Sequence, residues 1–386
     1  MKTLKDFKLK DKYVLLRSDL NSDARNGVFT PSIRIKEAAT TVKTLQKRGA
    51  KVVILAHQGT VGNRDFISLK KHSIELSLYC KVKFVGDIFG KKAKTAIKLM
   101  KSGDAVLLEN VRFENDEFKP RKKGNKFLGN FASMFDLYVN DSFSVSHRDH
   151  TSITGFPRII KSCAGPLVLK ETRALEKLKL GRCLFILGGG KPKTNVKLLG
   201  KGRILAGGYF ANMTIISSGQ KLGKKNEFNK EFGMTRLEYH KILSKIKRKG
   251  KEIVNPVDFA VELGGKRKEF MVDEFPLPYH IKDIGEKTIK NYVAIIKKIK
   301  KYNFIYMKGP MGFANESGFS RGTIEILKAI SKSKGHTIVG GGHLSDAIVQ
   351  SKIAKSRFSH VSLSGGALLN YIAGEKLPGL RVLGYY

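Results

Sequence analysis

Short apolar runs alternate with longer segments of helical spacing from one end of the chain to the other. In the first half the runs are YVLLRSDL (13–20), VVILAH (52–57), VKFV (82–85), AVLLEN (105–110) and LYVND (137–141). In the second half they are CLFILGG (183–189), RILAGG (203–208), EIVNPVDFAV (252–261), FIYMKG (304–309), TIVGGG (337–342) and FSHVSLSGG (358–366). Val, Ile and Leu follow one another without polar alternation, the pattern of strands buried on both faces. The intervening segments, such as 34–48 and 320–334, have helical length and spacing. Repeated strand–helix order predicts parallel sheets with right-handed crossovers. Roughly eleven strands are too many for one compact sheet. The chain is therefore read as two doubly wound, Rossmann-like α/β domains: 1–164 with the C-terminal tail 372–386, and 180–371. The helical pattern GPLVLKETRALEKLK (165–179) connects them.

The two halves end their strands differently, and in open α/β sheets ligands lie beyond the carboxyl ends of the strands. First-half strand ends deliver Asp19, Asn21, His57, Asn110, Arg112, Asn140 and Asp141. Second-half strand ends deliver glycine clusters at 188–190, 207–208, 340–342 and 365–366, whereas every glycine in the first 165 residues stands alone. Side-chain cations grip a small anion; bare backbone lets N–H groups approach phosphates or an adenine ring. One half reads as a small-anion site and the other as a nucleotide site. A tight βα turn accounts for any one glycine cluster, but poorly for four in one half.

Composition changes this picture little. Lys and Arg number 73 against 33 Asp and Glu, a formal charge of +40, which first suggests nucleic acid. The basic residues are nevertheless dispersed, and the densest stretches, KIKRKGK (245–251) and IIKKIKKY (295–302), interleave Lys with Ile as solvated amphipathic helix faces do. Charge alone therefore does not identify nucleic acid as the partner. No apolar run approaches the roughly 18 residues of a membrane helix, and the N-terminal MKTLKDFKLKDKYVLL lacks the apolar stretch of a signal peptide. Three cysteines at unrelated spacings form no disulfide or zinc framework and fit a reducing cytoplasm.

Common nucleotide motifs are absent. There is no G-x-x-x-x-G-K-[ST] loop and no G-x-G-x-x-G fingerprint. HRDH (147–150) imitates a protein-kinase catalytic loop, but Thr154 stands where the Asn should be, and no D-F-G follows. No H-E-x-x-H or C-x-x-C indicates a protein-held metal. What remains is a kinase that uses neither standard phosphate loop.

The ordered set RSDLN (17–21), SIRI (32–35), AHQG (56–59), LLENVRF (107–113), VNDSFSVSHRDH (139–150), LGGGK (187–191), AGG (206–208), NPVDFAVE (255–262), DIGEKT (283–288), KGPMG (308–312), VGGGH (339–343) and LPG (377–379) resembles phosphoglycerate kinase. The AHQG and GGGH variants resemble its archaeal branch. The resemblance implies reversible phosphoryl transfer between MgATP and the carboxylate of 3-phosphoglycerate, giving ADP and 1,3-bisphosphoglycerate. A carboxylate nucleophile is already ionised at pH 7, so such chemistry needs positioning and charge neutralisation and no catalytic base.

Carried over by resemblance, Asp19, Leu20 and Asn21 would meet the substrate's hydroxyl and carboxylate. His57, Gln58, Gly59, Thr60, Arg112, His147, Arg148 and His150 would surround its phosphate. Arg34 and Lys191 would be the two cations on the transferring phosphoryl. Gly189, Gly190, Gly207, Gly208, Lys308, Pro310, Asn315, Gly341, Gly342, His343 and Leu344 would line the nucleotide site, with Mg²⁺ arriving on the nucleotide. Against the family pattern, Thr60 replaces an Arg for which Arg64 could substitute, Lys308 a phosphate-facing Asn, and Asn315 a ribose-binding acid with Glu316 adjacent. His343 stands where bacterial and eukaryotic members hold the metal with Asp, and Leu344 where a hydroxyl residue is typical. The helix 165–179 and the tail LPGLRVLGYY are the hinge candidates. A monomer and a homodimer both remain open.

Overall fold

The computed structural model describes residues 1–24, 28–176, 182–228, 233–299 and 303–386. Positions 177–179 of the expected connecting helix and 300–302 of the basic stretch lie outside them. The chain packs as two units, Met1–Arg173 with Lys376–Tyr386, and Ala174–Glu375.

Among the described residues the first unit has six strands: β1 (Tyr13–Arg17), β2 (Lys51–Leu55), β3 (Lys83–Val85), β4 (Ala105–Leu108), β5 (Leu137–Asn140) and β6 (Ser162–Ala164). They form one parallel sheet in the order β3-β4-β2-β1-β5-β6. Both faces are buried, as unbroken apolar runs require: Val14, Leu16, Val52 and Ile54 pack into one cluster, and Leu15, Val53 and Leu55 into the other. The helix Ile33–Lys47 is capped by Ser32, whose hydroxyl accepts the Arg34 N–H, and it buries Ile35, Ala38, Ala39, Val42 and Leu45 along one stripe. That cap fixes Arg34 in the first turn. The C-terminal segment packs here too, with the Gly379 N–H donating to the Ser146 carbonyl at 2.8 Å.

Among the described residues the second unit has nine strands: β7 (Cys183–Leu187), β8 (Ile204–Ala206), β9 (Ile253–Val254), β10 (Asp258–Leu263), β11 (Lys266–Met271), β12 (Ile281–Ile284), β13 (Phe304–Lys308), β14 (His336–Gly340) and β15 (His360–Ser362). Six are in a parallel sheet of order β15-β14-β13-β7-β8-β9. Strand order reverses between β7 and β13, which makes their carboxyl ends the switch point of the sheet.

The expectation of parallel sheets alone needs one correction. β10, β11 and β12 form a separate antiparallel sheet. The apolar run 252–261 is two strands in two sheets, divided at Pro256, which cannot donate to a ladder. β11 reads KRKEFM, with no residue fully buried, so no buried-strand signal marks it. Its hairpin turn, Gly264–Gly265, has φ of 59° and 71°, the geometry that a two-residue connection favours.

Candidate functional site

In the first unit the loops after β1, β2 and β4 converge. The Asp19 carboxylate accepts the Asn21 N–H at 3.1 Å and the Ser144 hydroxyl, and lies 3.0 Å from Arg34 Nε. Arg34 also donates to the Asn21 carbonyl at 3.1 Å, while Asn21 Oδ1 accepts the Gly59 N–H at 2.9 Å. Arg112 donates to the Gly59 carbonyl. Asp19, Asn21, Arg34, Gly59 and Arg112 are thus one bonded network.

Behind it lies a buried cation cluster. Arg17 is 1% exposed and donates to Ser152 Oγ at 2.9 Å and to His57 Nδ1 at 3.2 Å. Burial first, and then the charges of Arg17, Arg112, Arg148 and Arg34, holds His57 well below its ordinary range. The imidazole is therefore neutral at pH 7, and its Nδ1 is an acceptor. Arg112 is pushed down to about 10 by burial and by Arg148 and Arg17. Glu117, 0% exposed, offsets part of this charge: it accepts from the Ser152 N–H and hydroxyl at 2.8 and 2.7 Å and lies 3.5 Å from His150 Nδ1. Buried cations that also repel one another at a strand end are matched to an anionic ligand.

Not every expected residue faces that pocket. Leu20 belongs to the apolar core. Gln58 is fully buried: its amide oxygen accepts the Ser22 N–H at 2.9 Å and lies 2.8 Å from His72 Nε2, and its amide nitrogen donates to the carbonyls of Ser22 and Asp65. These two residues shape the loops from behind. Thr60 and Arg64 are exposed, Arg148 is exposed, and His147 and His150 are half-buried, the last against the Phe118 ring at 5.1 Å.

In the second unit the glycines divide into two kinds. A Cβ on Gly188 would lie 2.1 Å from the Pro310 carbonyl oxygen, one on Gly207 2.5 Å from Met311 Sδ, and one on Gly208 2.6 Å from the Gly189 nitrogen. The Gly189 and Gly208 N–H groups donate to the carbonyls of Pro310 and Met311 at 2.8 and 2.7 Å. These glycines let the loops after β7, β8 and β13 pack backbone against backbone. Gly341 and Gly342 differ: a Cβ on either meets nothing within 4 Å. Gly341, at φ 117°, caps the helix Gly342–Gln350, whose first N–H groups are available to an anion. His343 and Asn315 are exposed, and Leu344 is in the core. Glu316 is held by Lys282 at 2.8 Å.

Lys191 is exposed at the start of the short helix Pro192–Asn195. Lys308, the last residue of β13, donates to Thr194 Oγ1 at 2.8 Å and to Asn195 Oδ1 at 3.0 Å. Burial and then the charge of Lys191 push it down to about 8. Among the described residues, no three His, Cys, Asp or Glu side chains gather to hold a metal.

Sequence reasoning missed Arg17 and Glu117 as members of the first site. Arg17 carried a signal, a charge ending an otherwise apolar strand. Glu117 sits in the polar stretch NDEF, where nothing distinguishes it from a surface acid.

Comparison with known proteins adds identity to this geometry. The family model described as phosphoglycerate kinase matches residues 4–375. The phosphoglycerate kinase of Sulfolobus acidocaldarius is 37% identical over 99% of this chain and 95% of its own length. That of Methanosarcina mazei is 38% identical over 99% and 94%. The crystal structure of phosphoglycerate kinase from Pyrococcus horikoshii superposes with a TM-score of 0.87 at 34% identity, covering 100% of this chain and 99% of that one. The Coxiella burnetii enzyme gives 0.76 at 28%, covering 99% and 98%.

Proposed function

The chain belongs to the phosphoglycerate kinase family, and we propose how its two strand-end sites divide that family's reaction between them. The reaction is reversible phosphoryl transfer between MgATP and the carboxylate of 3-phosphoglycerate, giving ADP and 1,3-bisphosphoglycerate. The first unit takes the phosphoglycerate. Arg112, Arg148 and the neutral His57 receive its phosphate, and His147 and His150 border the same pocket. Asp19 and Asn21 orient its hydroxyl and carboxylate, and the Asp19 contact keeps the Arg34 guanidinium aimed at the acceptor end. The second unit takes the nucleotide. Its phosphates lie against the helix start at Gly341–Gly342 and against Lys191, which with Arg34 neutralises charge on the transferring group. Gly189, Gly190, Gly207, Gly208 and Pro310 form the floor, and Asn315 and His343 the rim.

The observation that carries this reading is the cation excess around a neutral His57. It suits polyanionic ligands and leaves no group in need of acting as a base, because the attacking carboxylate is ionised already. Mg²⁺ would arrive on the nucleotide and supply charge neutralisation at its phosphates. A cytoplasmic setting fits the free cysteines Cys80, Cys163 and Cys183. No helix among the described residues is long and apolar enough to cross a membrane.

Calorimetric titration of 3-phosphoglycerate and of MgADP separately into Arg112→Ala and Lys191→Ala tests the division. Each variant loses affinity for one ligand and keeps the other; loss of both ligands in either variant, with the fold intact by circular dichroism, contradicts it.

A further inference from the structure

The loop after β2 and the turns after β4 carry apolar side chains that the core of the first unit does not take up. In the short turns Val111–Phe113 and Asn115–Phe118, Val111 is buried, whereas Phe113 and Phe118 are 44% and 40% exposed. Val61, in the loop after β2, is 54% exposed, and the Phe66 ring meets that of Phe113 edge to face at 4.9 Å. An exposed apolar residue standing alone needs no explanation. These four instead line one open cleft of about 580 Å³, together with Asn115 and Arg112, and apolar side chains gathered in that way mark a binding surface.

Arg112 is the only charged residue of that lining. It is recessed, at 8% exposed, and it is the same guanidinium that stands in the cation cluster of the strand-end pocket, so cleft and pocket share a wall. Phe118 links them a second time, its ring 5.1 Å from that of His150. The acids of the same stretch are committed elsewhere. Glu114 accepts the Asp116 N–H at 3.1 Å, Asp116 pairs with Lys122 at 2.9 Å, and Glu117 accepts from Ser152. An apolar cleft that ends on a recessed cation is complementary to a ligand with an anionic head and an aromatic body. 3-Phosphoglycerate has no apolar group and leaves the rings unused. A flat partner surface does not reach the guanidinium, whereas a small ligand does.

We propose that this cleft is an apolar subsite beside the phosphate pocket, which takes aromatic phosphate monoesters with the phosphate on Arg112 and the ring among Phe66, Phe113 and Phe118. Such ligands exclude 3-phosphoglycerate, because both need Arg112. This rests on the assignment of Arg112 to the phosphate of phosphoglycerate.

The test is fluorescence titration of 1-naphthyl phosphate into the full chain, which has no Trp and so adds no indole emission. Methyl phosphate, inorganic phosphate and 3-phosphoglycerate are then used to displace it, in wild type, Phe113→Ala, Phe118→Ala and Phe113→Leu. Wild type is expected to bind 1-naphthyl phosphate about ten-fold or more tighter than methyl phosphate, the gain from partly burying the ring, and to release it to inorganic phosphate and to 3-phosphoglycerate. Each alanine variant is expected to lose most of that gain while holding 3-phosphoglycerate within about two-fold of wild type, the range of a surface substitution away from its ligand. Retained affinity for 3-phosphoglycerate also verifies that the variants are folded. Phe113→Leu, which restores apolar contact, should keep most of the gain. Naphthyl phosphate bound no tighter than methyl phosphate, a gain undiminished in both alanine variants, or failure of inorganic phosphate to displace the probe overturns the inference. A ring-dependent gain in a chain that does not bind 3-phosphoglycerate supports the apolar subsite and removes the assignment of Arg112 to phosphoglycerate.

Discussion

Glu117→Gln separates the two things a buried carboxylate does among cations: it stabilises the fold and weakens the site. Glu117 accepts two hydrogen bonds from Ser152, at 2.8 and 2.7 Å, and Ser152 Oγ in turn accepts from Arg17 at 2.9 Å. A Gln amide keeps the shape but offers one acceptor, so one charge-assisted bond worth about 1.5–3 kcal/mol is lost. The buried Arg17 also loses its largest offsetting charge, and an uncompensated buried charge is costly. Together these predict about 2–4 kcal/mol of destabilisation, read as a lower urea midpoint at unchanged slope. The same change adds one net positive charge behind the phosphate pocket. A unit charge ~10 Å away, at an effective dielectric of ~20–40, is worth about 1 kcal/mol, so 3-phosphoglycerate should bind several-fold tighter at pH 7. A variant as stable as wild type, or one that binds the substrate more weakly while still folded, would refute this account of the cluster.

Two further substitutions test other parts of the account. Asp141, buried at the end of β5, accepts the Leu167 N–H at 2.7 Å and is pushed up to about 7 by burial. The folded chain then keeps a proton that the unfolded chain sheds near pH 4, so this contribution to stability is full below about 4 and lost as pH rises through about 7. Asp141→Asn should remove that fall and exceed wild type at pH 8 by at most about 4 kcal/mol in urea denaturation; parallel pH profiles would count against it. Gly188→Ala, with its methyl 2.1 Å from the Pro310 oxygen, should lower the melting temperature by several degrees. Gly342→Ala, with nothing within 4 Å, should melt like wild type yet bind ADP more weakly, and equal behaviour of the two would refute the distinction between packing and site glycines.

How far the sequence could be read followed from physical cause. The parallel sheets announced themselves because strands such as β1, β2 and β7 are buried on both faces and so lack alternation. The antiparallel sheet did not, because β11 is charged and nowhere fully buried, and β9 and β10 share one largely apolar stretch, broken around Pro256. In the first site, polar residues directly after strands were legible because nothing else explains polarity there. Gln58 and Leu20 turned inward because a loop also needs anchors, and sequence does not separate an anchor from a ligand. In the second unit, Gly341–Gly342 and Gly188 look alike as letters. Only the distance from each missing Cβ to its neighbours separates them.

In the proposed reaction two cations, Arg34 in the first unit and Lys191 in the second, carry the transfer without a catalytic base. It is tested most directly by following ATP- and Mg²⁺-dependent phosphorylation of 3-phosphoglycerate, coupled to reduction of the acyl phosphate formed, in wild type, Arg34→Ala and Lys191→Ala. The account predicts clear turnover in wild type and a fall in kcat of about a hundred-fold or more in each variant, the scale set by losing one group that stabilises charge in the transition state. Absence of turnover in wild type at millimolar substrates, or kcat retained in both variants, would contradict it.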